Sequence, residues 1–155
     1  MKILIVCLGN ICRSPLAEGI LQHKADEVGL YWTVESAGTN GLHVGEAPHH
    51  LSQKVATQYG INICEQRARQ FEATDFEKFD RIYVMADDVM QDVKRIAGKY
   101  FDAEKVDYFL NELTAGKNED VPDPWYGNED GYNKVYDLID KTCDAIVAKE
   151  AVSKN

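Results

Sequence analysis

In Lys2-Ile3-Leu4-Ile5-Val6 the four residues after the lysine are apolar at successive positions, with none of the polar–apolar alternation of a strand that has one face in water. A strand of this kind is buried on both faces, which is the habit of parallel sheets covered by helices on each side. CLGNICRS follows at residues 7–14, and then Pro15-Leu16-Ala17-Glu18. Leu16, Ile20, Leu21, Ala25 and Val28 recur at helical spacing, and Gly29 ends the stripe. Pro15 suits a first helical turn. The chain therefore opens as strand, tight loop and helix, with Cys7 at the end of the strand and Arg13 and Ser14 where the helix starts.

The rest of the chain repeats this alternation. Residues 31–36 read as a second strand, followed by a Gly-rich loop over 38–45. Residues 47–59 read as a helix stopped by Gly60. A third strand is expected over Phe79 to Met85, with an acidic helix start at Asp87-Asp88. A weaker fourth strand is expected at Val106-Asp107-Tyr108-Phe109. Residues 111–128 lack periodicity and read as a turn-rich loop. From Tyr132, apolar residues at 135, 136, 139, 143, 146 and 147 predict a long closing helix. Strands alternating with helices imply an α/β fold, a parallel sheet with helices on both faces and right-handed crossovers. Ligands of such sheets sit at the carboxyl ends of the strands. Cys7, Ser36 and Ala86 fall there.

The 155 residues suit one domain, with no repeat or linker to divide residues 1–155. With 45% hydrophobic and 28% charged residues the chain should be globular. No apolar stretch approaches the ~20 residues of a membrane span, and no signal peptide is evident, so a cytoplasmic location without membrane attachment is expected. The net charge of −9 argues against nucleic acid as a partner. A phosphate-bearing ligand would need a local positive field. Cys7, Cys12, Cys64 and Cys143 include no CxxC pair, and His23, His43, His49 and His50 lack ligand spacing beside them, so no metal site is expected. His49-His50 reads as an exposed helix start.

A phosphate dianion needs many donors. In a tight loop, the backbone N–H groups of Leu8, Gly9, Asn10, Ile11, Cys12, Arg13 and Ser14 can point inward, and the helix that follows adds its positive end. Gly9 is expected to permit an unusual backbone angle, and Asn10 tolerates a left-handed one. Arg13 offers a planar fork of N–H groups that matches two phosphate oxygens. The same donors favour the thiolate of Cys7, and Ser14 can donate to that sulfur. Leu8 and Ile11 would form the rim. Taken singly, a strand-end cysteine and a helix-start arginine are ordinary; together in strand–loop–helix order they suit nucleophilic attack on phosphorus.

Asp123 lies between Pro122 and Pro124, which restrict the backbone on both sides. Alone it reads as a turn aspartate. Beside Cys7 and Arg13 it supplies what the chemistry lacks: a general acid to protonate a leaving aryl oxygen, worth about 10²–10⁴-fold. Trp125 and Tyr126 would wall the cleft and stack on a phenyl ring. Glu119, Asp120, Glu129 and Asp130 read as solvated loop charges.

These segments, VCLGNICRSPLAE at 6–18, ESAGT at 35–39, ARQ at 68–70 and VPDPWYG at 121–127, resemble the low-molecular-weight protein tyrosine phosphatases. The resemblance implies a three-layer fold with a four-stranded parallel sheet of order 2-1-3-4. It implies hydrolysis of phosphotyrosine and aryl phosphate monoesters through a phosphocysteine, with Cys7, Arg13 and Asp123 as catalytic residues and no metal or other cofactor. It places Asn10, Ser14 and Ser36 in a supporting network and pairs Cys12 with Cys7 in a reversible protective disulfide. The partner implied is a phosphotyrosine-containing protein, a bacterial tyrosine kinase among the candidates, met by a monomer or weak dimer.

The chain departs from the family pattern at Leu42, where many relatives place an aromatic cleft wall. Gln66 stands where relatives often have a histidine, and is expected to act as a neutral substitute in the network. Ala86 stands where many have an aspartate, with Asp87 next, so a shifted or lost contact is expected. Three other functions share features of the loop. Arsenate reduction needs a close cysteine pair that Cys64 and Cys143 do not make. Phosphoarginine hydrolysis goes with threonine where this chain has Ile11. A phosphocysteine carrier needs no acid, against Asp123.

Overall fold

The structure, a computed structural model, describes residues 1–124 and 128–154. Strand β1 (Lys2–Cys7) is followed by α1 (Arg13–Glu27), β2 (Thr33–Gly38), α2 (His50–Gln58), α3 (Asp75–Lys78), β3 (Arg81–Val84), α4 (Asp87–Ala97), β4 (Val106–Tyr108) and α5 (Glu129–Lys154). Short 3-10 turns occupy Gly41–His43, Gly98–Tyr100 and Phe109–Glu112. The four strands form one sheet of order β2-β1-β3-β4. Every pairing is parallel.

The unbroken apolar run of β1 has a direct cause. Ile3 and Ile5 join the core beneath α1, α2 and α5, whereas Leu4 and Val6 join the second core beneath α3 and α4. All four are 0% exposed, so neither face of the strand can carry a polar residue without losing its hydration. The third layer is closed by α5, whose Val135, Tyr136, Ile139, Cys143, Ile146 and Val147 are all buried at the positions the helical stripe predicts.

Several boundaries differ from the sequence-based expectation. The second strand begins at Thr33 and not at residue 31, because Tyr31 is 94% exposed and cannot belong to a packed strand. The second helix starts at His50, since the His49 side chain accepts a hydrogen bond from Leu51 N and caps it. The third strand is shorter, Arg81–Val84, with Phe79 packed in the core ahead of it. The fourth ends at Tyr108; a 3-10 turn over Phe109–Glu112 takes the last residue of the expected strand and runs into the expected loop. The closing helix begins at Glu129, and Val28 of the first apolar stripe is exposed. The short α3 was not expected; its four residues are too few to leave a periodic signal. Among the described residues no helix is long and apolar enough to cross a membrane.

The strand ends converge as the topology requires. Cys7 pairs with Gly38, and the ladder continues into the loops through Thr39 N to Cys7 O (3.1 Å) and Asn40 N to Leu8 O (2.8 Å). Gly38 is obligatory here for space: a Cβ at that position would stand 2.8 Å from Leu8 O and 3.0 Å from Asn10 N.

Candidate active site

The loop between β1 and α1 folds back over the end of its own strand. Asn10 takes φ 59°, the left-handed turn anticipated for it, and its N–H donates to Cys7 Sγ at 3.2 Å. Gly9 is not in a left-handed conformation; what restricts it is room, because a Cβ would stand 3.2 Å from the His43 ring. Cys12 precedes the first turn of α1 and makes no side-chain cap, which leaves the helix N-terminus to the loop.

A hydrogen-bond chain runs from the sulfur through Ser36 of β2 to Glu18 of α1. Asn10 Nδ2 donates to Ser14 Oγ and to Ser36 Oγ, both at 2.9 Å, and Asn10 Oδ1 accepts from Arg69 N at 2.9 Å. Every donor and acceptor of the Asn10 side-chain amide thus has a use, at 3% exposure. Ser14 Oγ lies 2.9 Å from Cys7 Sγ. A thiolate can only accept, so the Ser14 hydroxyl is the donor when Cys7 is ionised. At the other end Ser36 donates to Glu18 Oε1 at 2.7 Å. Burial pushes the Glu18 carboxyl up to about 7, against the opposing hydrogen bond from Ser36. Sequence reasoning missed Glu18, which had read only as one of the helix-start residues. Gln66 does not take the place expected for it: its Nε2 donates to Pro15 O at 3.1 Å, and its Oε1 is buried without a hydrogen bond among the described residues.

Arg13 is 4% exposed. One arm, Nη1, donates to Val121 O at 3.0 Å, and Nη2 lies 3.7 Å from Asp123 Oδ2. The arginine of the phosphate loop therefore also fastens the loop that carries Asp123. Val121 N donates to Met85 O at 2.7 Å, which adds that loop to the end of β3. The contact left open at Ala86 is filled from the same loop: Asp87 N donates to Asp120 Oδ1 at 2.9 Å. Asp120 is thus more than a solvated charge, and Glu129 pairs with Lys54 at 3.0 Å.

Cys7, Leu8, Gly9, Ile11, Cys12, Arg13 and Asp123 line one cavity of about 180 Å³, with Asn40 and His43 on its second wall. The loop side chains and the acid predicted from sequence are brought together there. Leu42 is not in that wall; it is 78% exposed, because the 3-10 turn directs its neighbour His43 inward. His43 Nδ1 lies 2.8 Å from Glu46 Oε2, which orients the ring. Trp125 and Tyr126 lie outside the described residues. Tyr132, read earlier only as the start of a stripe, is fully buried with its hydroxyl 3.3 Å from Cys12 Sγ. Burial holds the Cys12 thiol up at about 11, so it stays protonated at neutral pH. Among the described residues no cluster of histidine, cysteine and carboxylate groups could hold a metal.

Residues 2–155 match the family model described as low molecular weight phosphotyrosine protein phosphatase. A Synechocystis relative carrying a low molecular weight protein-tyrosine-phosphatase designation is 38% identical over 147 residues, 92% of each chain. The structure of YfkJ from Bacillus subtilis is similar at TM-score 0.88 and 33% identity, covering 100% of this chain and 97% of that one. YwlE, an arginine phosphatase solved with a phosphorylated active-site serine, is similar at TM-score 0.88 and 26% identity, covering 96% and 95%.

Proposed function

The chain belongs to the low molecular weight phosphotyrosine protein phosphatase family, and on that premise we propose that it hydrolyses phosphotyrosine and other aryl phosphate monoesters through a phosphocysteine. One observation carries the reading: Cys7 Sγ, held by the Asn10 N–H and the Ser14 hydroxyl, shares a cavity with buried Arg13 and with Asp123.

The Cys7 thiolate attacks phosphorus in line with the aryl oxygen. Loop N–H groups and Arg13 hold the equatorial oxygens, where charge gathers as the bond breaks. The P–O bond to the aryl group opens while Asp123 gives its proton to that oxygen, releasing a neutral phenol. The Asp123 carboxylate then takes a proton from water as the water attacks phosphocysteine. The P–S bond breaks, inorganic phosphate leaves and the thiolate returns. No electron transfer and no metal enters this scheme. Ser14, fixed by Asn10, stabilises the departing sulfur in the second step.

Ile11, 6% exposed and lining the cavity, supports a flat aryl ring over a guanidinium, which would need polar partners at that wall. The partner we propose is a phosphotyrosine-bearing protein, such as a bacterial tyrosine kinase, met in the cytoplasm by a monomer or weak dimer. A reducing compartment keeps the nucleophile out of a disulfide.

Turnover of phenyl phosphate and of dinitrophenyl phosphate by wild type, Cys7→Ser and Asp123→Ala tests the mechanism. Cys7→Ser should abolish both. In kcat/KM, which reports phosphocysteine formation and not its hydrolysis, Asp123→Ala should lose about 10²–10⁴-fold with phenyl phosphate and far less with the activated ester, whose leaving group needs no proton. Equal losses remove Asp123 from its role. Ile11→Thr should move the ratio of phosphoarginine to phosphotyrosine hydrolysis upward; a wild type that prefers phosphoarginine overturns the substrate assignment.

A further inference from the structure

We propose that Asp120 is a positioning residue for Asp123, tethering the acid loop to the N-terminus of α4; the inference rests on Asp123 being the general acid. Pro122 and Pro124 have no N–H, so the segment that carries Asp123 cannot be held by an ordinary ladder of backbone bonds. Besides the 3.7 Å approach of Arg13 to Asp123 itself, it is fixed from its flank. Two contacts do this immediately upstream. Val121 is fastened through its N–H to Met85 O and its carbonyl to Arg13, and Asp120 Oδ1 accepts from Asp87 N.

The second contact answers a need of the helix as well. A helix start leaves N–H groups without intrahelical acceptors. The N-cap of α4 is Ala86, which makes no side-chain cap. The carboxylate of Asp87 is turned away, accepting the Tyr108 hydroxyl at 2.5 Å. The acceptor for Asp87 N therefore comes from the acid loop, and a carboxylate at a helix N-terminus is favoured by the helix field. One bond caps α4 and fixes the approach to Asp123. Because Asp120 is exposed, water competes for it, and the tether is of moderate strength.

The test compares Asp120→Ala and Asp120→Asn with wild type. For Asp120→Ala, kcat/KM on phenyl phosphate, which reports phosphocysteine formation and not its later hydrolysis, should fall about three- to tenfold, while kcat/KM on dinitrophenyl phosphate and inhibition by inorganic phosphate should stay within about twofold, since in that step only placement of the proton donor is disturbed. Asp120→Asn keeps an acceptor oxygen and should restore most of the loss. Amide exchange at Asp87 should quicken in Asp120→Ala and not in Asp120→Asn. An equal fall on both esters, or none with phenyl phosphate, overturns the tether. If Asp123→Ala itself shows no dependence on leaving group, the acid assignment falls instead, so the two failures are distinguishable.

Discussion

Replacing Asn10 by alanine would strike three things at once. Its side chain makes three buried hydrogen bonds, to Ser14, Ser36 and the Arg69 N–H. At about 0.5–1.5 kcal/mol each, their loss costs about 2–4 kcal/mol, with the hydroxyls and the N–H left short of partners. Alanine would also have to adopt the left-handed backbone at φ 59°, which adds about 1 kcal/mol. The sum, roughly 3–5 kcal/mol, is a large share of the ~5–15 kcal/mol by which a domain is stable. In a chain of this size it should lower the melting temperature by about 6–20 °C. Urea denaturation of wild type and Asn10→Ala, with kcat/KM for dinitrophenyl phosphate on the same samples, reads both effects. Asn10→Asp is the informative partner. It keeps the acceptor for Arg69 N and tolerates the left-handed turn, but it loses both donors and sets a second anion beside the thiolate. Its activity should fall further than its stability. A destabilisation below about 1 kcal/mol in Asn10→Ala would mean that the buried network adds nothing, and the reasoning fails.

Three further outcomes follow from the geometry, the first two around this loop. Glu18 titrates near 7 when folded against 4.5 as its ordinary value, so the folded state holds a proton that the unfolded chain has released, and stability falls as pH rises from 4.5 to 7. Glu18→Gln removes that slope. The variant should gain on wild type across the window and level off above it, by on the order of 1–3 kcal/mol; an equal difference in urea midpoint at pH 4.5 and pH 8 would refute this. Gly38→Ala, whose Cβ meets backbone at 2.8 Å, should displace the phosphate loop and cut turnover more than about tenfold. Gly29→Ala, at φ +74° with open space around it, should cost about 1 kcal/mol of stability and leave turnover unchanged, as thermal melts and assays can check.

Much of the site was legible because it is local. Cys7 to Ser14 is one short loop whose donors come from consecutive residues, and the proline-flanked Asp123 is a local signal too. The supporting residues were less so. Glu18 reaches the network only because α1 lies along β2, and nothing in residues 15–28 marks it apart from other helix-start charges. His43 and Leu42 are neighbours on one turn, and which of them enters the cavity depends on the 3-10 geometry of Gly41–His43. Gln66 was assigned by position to the Asn10 network, but its amide spends its donor on Pro15 O. Asp120 read as a loop charge because its partner, the N–H of Asp87, lies 33 residues away.

The amino-acid sequence by itself determined the periodicities, and with them a parallel sheet whose central strand is apolar on both faces. It also determined the left-handed turn at Asn10 and the order of nucleophile, arginine and acid along the chain, since hydrophobic burial and backbone sterics act on neighbouring residues. The tertiary structure decided which side chains from distant segments meet. That Arg13 grips the acid loop through Val121, that Glu18 ends the hydrogen-bond chain from the sulfur, and that α4 takes its cap from Asp120 all depend on how the strand ends are brought together, and no spacing along the chain encodes those distances.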